Sequence, residues 1–118
     1  MSRASAITAA EAAFDDGSVL EDLRRLVAIP SESQDPRGAA ALGRYLEEAI
    51  RPRLERMGFS CRTVPNPLPK HGPFLIAERR EGDGLTTILT YGHGDVILGL
   101  EDRWRDGLSP WSLVEEGD

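Results

Sequence analysis

The feature that most constrains the fold is an uncharged, β-branched run at residues 85–91, LTTILTY. Four of its seven residues are Thr or Ile, and the others are Leu or Tyr. This composition favours a strand that is buried on both faces. Such a strand needs a neighbour along each edge and cover above and below, so the run predicts the central strand of a covered sheet.

The helix predicted at residues 36–57 is the clearest source of that cover. Asp35 can cap it, Pro36 is tolerated in a first turn, and Gly58 suits a left-handed C-terminal position. Pro52 removes one backbone hydrogen bond, which predicts a kink or two shorter helices. The apolar positions of one face recur at spacings of three and four and are Leu42, Tyr45, Leu46, Ala49, Ile50, Leu54 and Met57.

Two further helices are predicted upstream of that segment. The first covers about residues 5–14. The second begins at Ser18, whose spacing from Glu21 fits a capping box, and it ends near Ile29 because Pro30 disfavours helical geometry in the preceding residue.

Two strands are predicted between the long helix and the uncharged run, at residues 59–64 and 74–80. They are separated by a loop with four prolines at residues 65–73. The order of elements predicts an α/β fold, with helices packed on a mostly central β-sheet and helix 36–57 on one face.

Composition narrows the class of protein. The chain has 118 residues and a net charge of −6, which fits one soluble domain and excludes a nucleic-acid partner. No window approaches the roughly 18 apolar residues of a membrane span. The single Cys61 allows neither an internal disulfide nor a CxxC metal site, so a reducing, cytoplasmic setting is expected.

The candidate site is the His-Gly-Asp sequence that follows the uncharged run. In an extended chain, His93 and Asp95 point to the same side, so an imidazole and a carboxylate converge. His93 could be a metal ligand with Asp95 as its orienting partner. Alternatively, the pair could be the base and carboxylate of a nucleophilic triad.

The metal interpretation is the better one, since the triad lacks a nucleophile. No GxSxG turn is present, and Cys61 lies in an ordinary alternating strand. One His and one Asp are nevertheless too few for zinc, which takes three or four protein ligands.

Three stretches together resemble the amino-terminal part of the M20 metallopeptidases, a family that includes carboxypeptidases, aminoacylases and succinyl-diaminopimelate desuccinylase. They are ILTYGHGDVILG at residues 88–99, WRDGLSPW at 104–111 and LRRLVAIPSES at 23–33. The resemblance covers nearly the whole chain from about residue 18. It implies the N-terminal part of a zinc-exopeptidase-like domain over residues 1–118, with the rest of the catalytic domain and the lid or dimerisation domain lacking.

The resemblance also implies a function. His93 resembles the family's zinc-ligand histidine, and Asp95 resembles its catalytic aspartate. The expected reaction is hydrolysis of an amide or peptide bond by a zinc-activated water, with two Zn²⁺ ions in the complete site and Co²⁺ or Mn²⁺ as alternatives. Small peptides or N-acyl amino acids are the expected substrates, and the full-length protein is expected to form a homodimer.

The sequence departs from the family where the remaining ligands should lie. The chain stops at Asp118, before the Gly-Arg-Gly-x-x-Asp segment of the bridging aspartate. The pair Glu115 and Glu116 precedes that point and is expected to be a solvated turn. The isolated chain is therefore expected to be inactive. The alternative is a truncated, non-catalytic interaction module that dimerises or complements a missing half.

The remaining candidate residues are expected to pack near the site or to lie at the surface. His71 is expected to be exposed in the proline-rich loop. Trp104 and Trp111 are expected to pack beneath the site, with substrate contact as the alternative. Arg103 and Arg105 are expected to be surface charges, with contact to a substrate carboxylate as the alternative.

Overall fold

The computed structural model describes residues 2–68 and 71–117 and gives a mixed α/β fold. The coarse fold class is therefore as expected. The regular elements are α1 (Arg3–Asp15), α2 (Ser18–Val27), α3 (Ala39–Arg44), α4 (Arg51–Arg56), β1 (Ser60–Val64) and β2 (Phe74–Glu78).

The first two helices are joined by a left-handed turn at Gly17, whose φ is +78°. The predicted helices are both present, but the capping box expected at Ser18 and Glu21 is not formed. Gly17 is the N-cap of α2 and has no side chain to accept a hydrogen bond. The Ser18 hydroxyl instead donates to the carbonyl of Ala13 at 3.0 Å, which ties the start of α2 to the end of α1.

The long helical segment begins as the sequence predicts. Asp35 is the N-cap of a short 3₁₀ turn (Pro36–Gly38) and its carboxylate accepts the N–H of Arg37 at 2.8 Å. The path then changes from α3 to a π-helical segment (Tyr45–Ile50) and back to α4. Pro52 explains the interruption, because it lacks an N–H and its ring displaces the carbonyl four residues earlier.

The segment ends in a Schellman motif. Gly58 has φ +84°, its N–H donates to the carbonyl of Glu55 at 2.9 Å, and the N–H of Phe59 donates to the carbonyl of Leu54 at 3.0 Å. This confirms the left-handed position predicted for Gly58. The turn directs the chain straight into β1.

The sheet has two antiparallel strands, with Ser60 opposite Glu78 and Val64 opposite Phe74. Both predicted strands are therefore present, with the second ending slightly earlier than predicted.

A side-chain network joins the helical segment to β1. Arg51 donates to the Glu47 carboxylate at 2.5 and 3.0 Å and to the carbonyl of Cys61 at 2.9 Å. The guanidinium of Arg51, followed by the hydroxyl of Thr63, lowers the pKa of Glu47 to about 2. The helix thus packs along the outer edge of β1.

The central strand predicted at residues 85–91 is not formed, and the prediction of a mostly central sheet was wrong. Ile88 and Leu89 are 83% and 94% exposed. Arg79, the residue after β2, donates to the carbonyl of Met57 at 2.6 Å and pairs with Glu81 at 2.5 Å. Among the described residues no strand lies beside the run and its backbone has no hydrogen-bonding partner, so it stays irregular.

The chain is flat and exposes much surface. Its extents are 52 × 44 × 18 Å and its radius of gyration is 17.2 Å, against about 13.5 Å for a compact domain of this length. In the part of the chain that the structure describes, the buried apolar residues are few and lie in the helical segment: Ala41, Leu42 and Ala49. Over residues 2–68 and 71–117, no helix is long and apolar enough to cross a bilayer.

Candidate functional site

His93 and Asp95 contact each other, as the sequence predicts. The two atoms His93 Nδ1 and Asp95 Oδ1 lie 3.2 Å apart. Because an ionised carboxylate can only accept, the imidazole donates its Nδ1–H. The tautomer leaves the Nε2 lone pair free, and the imidazole is 71% exposed. The ring of Tyr91 stands edge-on to it with centroids 5.2 Å apart.

The loop that carries the pair is fastened to a segment about 60 residues earlier. The N–H of Val96 donates to the carbonyl of Ser31 at 2.9 Å, and the N–H of Ser33 donates back to the carbonyl of Val96 at 3.1 Å. The N–H of Gly99 donates to a carboxylate oxygen of Glu32 at 2.6 Å. Two of the stretches that carry the M20 resemblance therefore lie side by side.

Asp95 is held in its charged form. The Ser33 hydroxyl and then the His93 imidazole lower the pKa of this carboxyl below its usual value. A carboxylate beside an imidazole fixes the orientation and tautomer of the ring. The role of Ser33 was missed by sequence reasoning, because nothing in its local sequence indicates which distant residue it faces.

The glycine between the two side chains permits close packing on the helical segment. A Cβ at Gly94 would lie 2.8 Å from Leu46 Cδ2 and 3.6 Å from Tyr45 Cδ1. The backbone of the His-Gly-Asp sequence therefore rests on the π-helical segment, which positions both side chains.

Two clefts adjoin the pair, and His93, Gly94 and Asp95 line both. One has a volume of about 430 Å³ and the other about 310 Å³. The larger cleft is also lined by Leu42, Leu46, Asn66, His71, Phe74 and Tyr91. The smaller cleft is also lined by Leu26, Ile29, Tyr45, Pro110 and Trp111.

The two tryptophans support the following loop. The indole N–H of Trp104 donates to the carbonyl of Gly99 at 2.7 Å, and that of Trp111 donates to Glu101 at 2.8 Å. Trp111 is half-buried and lines the smaller cleft, whereas Trp104 stays exposed. The expected packing role therefore holds for Trp111 more fully than for Trp104.

The other minor candidates lie at the surface. His71 is exposed, although it lines the rim of the larger cleft. Glu115 pairs with Arg24 at 3.3 Å, and Glu116 pairs with Arg105. The acidic pair and Arg103 are exposed, as expected for solvated charges.

His93 and Asp95 fit one metal ligand and its orienting partner. Across residues 2–68 and 71–117, no group of three or more His, Cys, Asp or Glu side chains is close enough to hold a metal ion. Zinc takes at least three protein ligands, so the pair by itself would not make up a zinc site. Comparisons of the chain with models of known protein families, with curated proteins and with solved structures find no match.

Proposed function

We propose that this chain provides the His-x-Asp part of the active site of an M20-type metal-dependent hydrolase that cleaves amide or peptide bonds. The observation that carries the proposal is the His93–Asp95 contact of 3.2 Å, which leaves Nε2 of the imidazole free. The resemblance adds the order of the surrounding motifs, and the finer assignment to the N-terminal part of a zinc-exopeptidase-like domain belongs to the same proposal.

The chain's own residues have distinct roles in this proposal. His93 is the metal ligand through Nε2. Asp95 is the catalytic carboxylate in the family's sense: it accepts the Nδ1–H, holds the ring in this tautomer and increases the basicity of Nε2. A bound Zn²⁺, or Co²⁺ or Mn²⁺ in its place, would supply Lewis acidity and a water of lowered pKa for attack on the amide.

The surroundings of the pair favour a small substrate. Clefts of about 430 and 310 Å³ are both lined by His93. These volumes are at or near the lower end of the range for small-molecule sites. Each could hold the group on one side of a scissile amide, which is consistent with a short peptide or an N-acyl amino acid.

The metal-ligand role is tested with the two histidines as a matched pair. Zn²⁺ is titrated into the wild-type chain and the His93→Ala and His71→Ala variants, with imidazole ¹⁵N chemical shifts as the readout. We expect weak binding that shifts Nε2 of His93, persists in His71→Ala and disappears in His93→Ala. Binding that persists in His93→Ala, or no shift at His93 up to millimolar Zn²⁺, would contradict the role.

The hydrolase role is tested on the polypeptide produced from the native gene in its own host. Its intact mass is measured first, because the proposal expects further ligands and a mass several-fold above that of the 118-residue chain. That polypeptide should cleave N-acyl amino acids or dipeptides with added metal, and His93→Ala should abolish the activity. The 118-residue chain alone should show none.

A further inference from the structure

Glu32 is joined to the loop that follows the candidate site through both its backbone and its side chain. Its backbone forms a parallel bridge with Val96, which is hydrogen-bonded to the carbonyl of Ser31 and to the N–H of Ser33. Its carboxylate accepts the N–H of Gly99 at 2.6 Å. Any residue at position 32 can form the backbone bridge, whereas the bond to Gly99 needs a long side chain that ends in an acceptor.

Gly99 is a fixed point in that loop. Its N–H donates to Glu32 and its carbonyl accepts the indole N–H of Trp104 at 2.7 Å, so both of its backbone groups are bound. A Cβ at this position would lie 2.8 Å from Trp111 Cζ2 and 2.9 Å from Pro110 Cγ, so the backbone passes closer to those rings than a side chain allows. The carboxylate of Glu32 therefore holds a tightly packed part of the loop.

The backbone immediately after Gly99 is strained. Leu100 has φ 50° and ψ 52°, a left-handed conformation that is unfavourable for a residue with a Cβ. Such a conformation persists only where the surrounding contacts hold it. The bond from Gly99 to Glu32 is one of the contacts beside it, so loss of the carboxylate removes part of that support.

The contact between His93 and Asp95 is sensitive to a small displacement of this loop. Its 3.2 Å length lies at the upper end of the normal range for a hydrogen bond, and Asp95 directly precedes residues 96–99. On the other side of Asp95, the backbone of Gly94 packs against Leu46. A shift of roughly a few tenths of an ångström on the side of residues 96–99 would take the two atoms beyond hydrogen-bonding distance.

We propose that Glu32 is a positioning residue for the His93–Asp95 pair. Its backbone fixes Val96 and its carboxylate fixes Gly99, and the loop held at these two points keeps the adjoining Asp95 carboxylate where it accepts the Nδ1–H of His93. The Nε2 lone pair of His93 is thereby kept available. The consequence for metal binding rests on the proposed function, whereas the effect on the imidazole tautomer rests on these contacts alone.

The test is the tautomer of His93 in the metal-free 118-residue chain, read from long-range ¹H–¹⁵N imidazole spectra at a pH where the ring is neutral. In the wild type we expect the Nδ1–H tautomer. Glu32→Ala should shift His93 toward the Nε2–H tautomer that free histidine favours, in the same direction as Asp95→Ala. Glu32→Gln should restore the wild-type tautomer, because its side-chain oxygen also accepts an N–H. In a titration with Zn²⁺ alone, Glu32→Ala should raise the dissociation constant at His93 about tenfold, the lower end of the effect for groups that orient a ligand.

Glu101→Ala is the matched control, because Glu101 also accepts an N–H in this region, from the Trp111 indole at 2.8 Å. It should leave the His93 tautomer unchanged, and His71 provides an internal reference in every spectrum. The inference is overturned by a wild-type His93 in the Nε2–H form, by a Glu32→Ala spectrum like that of the wild type, by an equal change in Glu101→Ala, or by failure of Glu32→Gln to restore the tautomer. Circular dichroism checks that each variant keeps the helical content of the wild type.

Failure of this inference can be distinguished from failure of the proposed function. If Zn²⁺ shifts Nε2 of His93 in the wild type but Glu32→Ala leaves the tautomer unchanged, the metal-ligand role stands and the positioning role of Glu32 is lost. If the tautomer responds to Glu32→Ala but Zn²⁺ does not bind at His93, the positioning role stands and the metal-ligand role is lost.

Discussion

Replacing Gly38 by Ala should distort the backbone segment that supports the candidate site. A Cβ at Gly38 would lie 2.5 Å from the carbonyl oxygen of Glu32, against the 3.0 Å minimum seen for real Cβ atoms. The obstacle is backbone, so no side-chain rotation relieves it. The φ of Gly38 is −76°, which alanine adopts freely, and the effect is therefore steric.

The steric cost of Gly38→Ala can be separated from the general effect of replacing a glycine by alanine. Gly43→Ala is the matched control, because it lies in α3 and a Cβ there meets nothing within 4 Å. Alanine in place of an unstrained helical glycine gains about 0.5–1 kcal/mol. Overpacking costs about 1–3 kcal/mol. We expect the two variants to differ by about 1–3 kcal/mol in free energy of unfolding, with Gly38→Ala the less stable.

Urea unfolding followed by circular dichroism measures the difference, which corresponds to about 1 M between the two midpoints. A ¹H–¹⁵N spectrum provides the local readout. Because Glu32 accepts the N–H of Gly99 and its segment bridges to Val96, the Gly38→Ala variant should shift the amides of both residues. Equal stability of Gly38→Ala and Gly43→Ala, or an unchanged spectrum at Val96 and Gly99, would refute the steric argument.

Three further predictions concern charge and backbone conformation. The pKa of Glu47 is about 2 in the folded chain and 4.5 normally, so its stabilising contribution is present above pH 4.5 and is lost as the pH falls toward 2. Glu47→Gln should therefore flatten the plot of unfolding free energy against pH over this range. Ser33→Ala should raise the pKa of Asp95 toward 3.8, as followed by carboxyl ¹³C shifts, and an unchanged pKa would remove Ser33 from the site. Gly58→Ala should cost about 1–2 kcal/mol in urea unfolding, because its φ is +84° and a Cβ there meets only Arg79 side-chain atoms at 3.9 Å; a gain in stability would show that the left-handed turn is not required.

Short sequence motifs correctly predicted the features that depend on only a few neighbouring residues. The cap at Asp35 and the left-handed Gly58 are properties of a few neighbouring residues, and both are present. The interruption before Pro52 follows from a missing N–H. The capping box at Ser18 was wrong because the N-cap of α2 is Gly17, so the N–H of Glu21 donates to the carbonyl of Gly17 at 3.0 Å.

The run at residues 85–91 marks the limit of such reasoning. Its composition indicates that a strand there would need paired edges and covered faces. It does not indicate whether a neighbouring strand is available. The same holds for the site. The contact of His93 with Asp95 follows from their spacing, whereas the approach of Ser33 depends on a bridge between Glu32 and Val96 that no local pattern indicates.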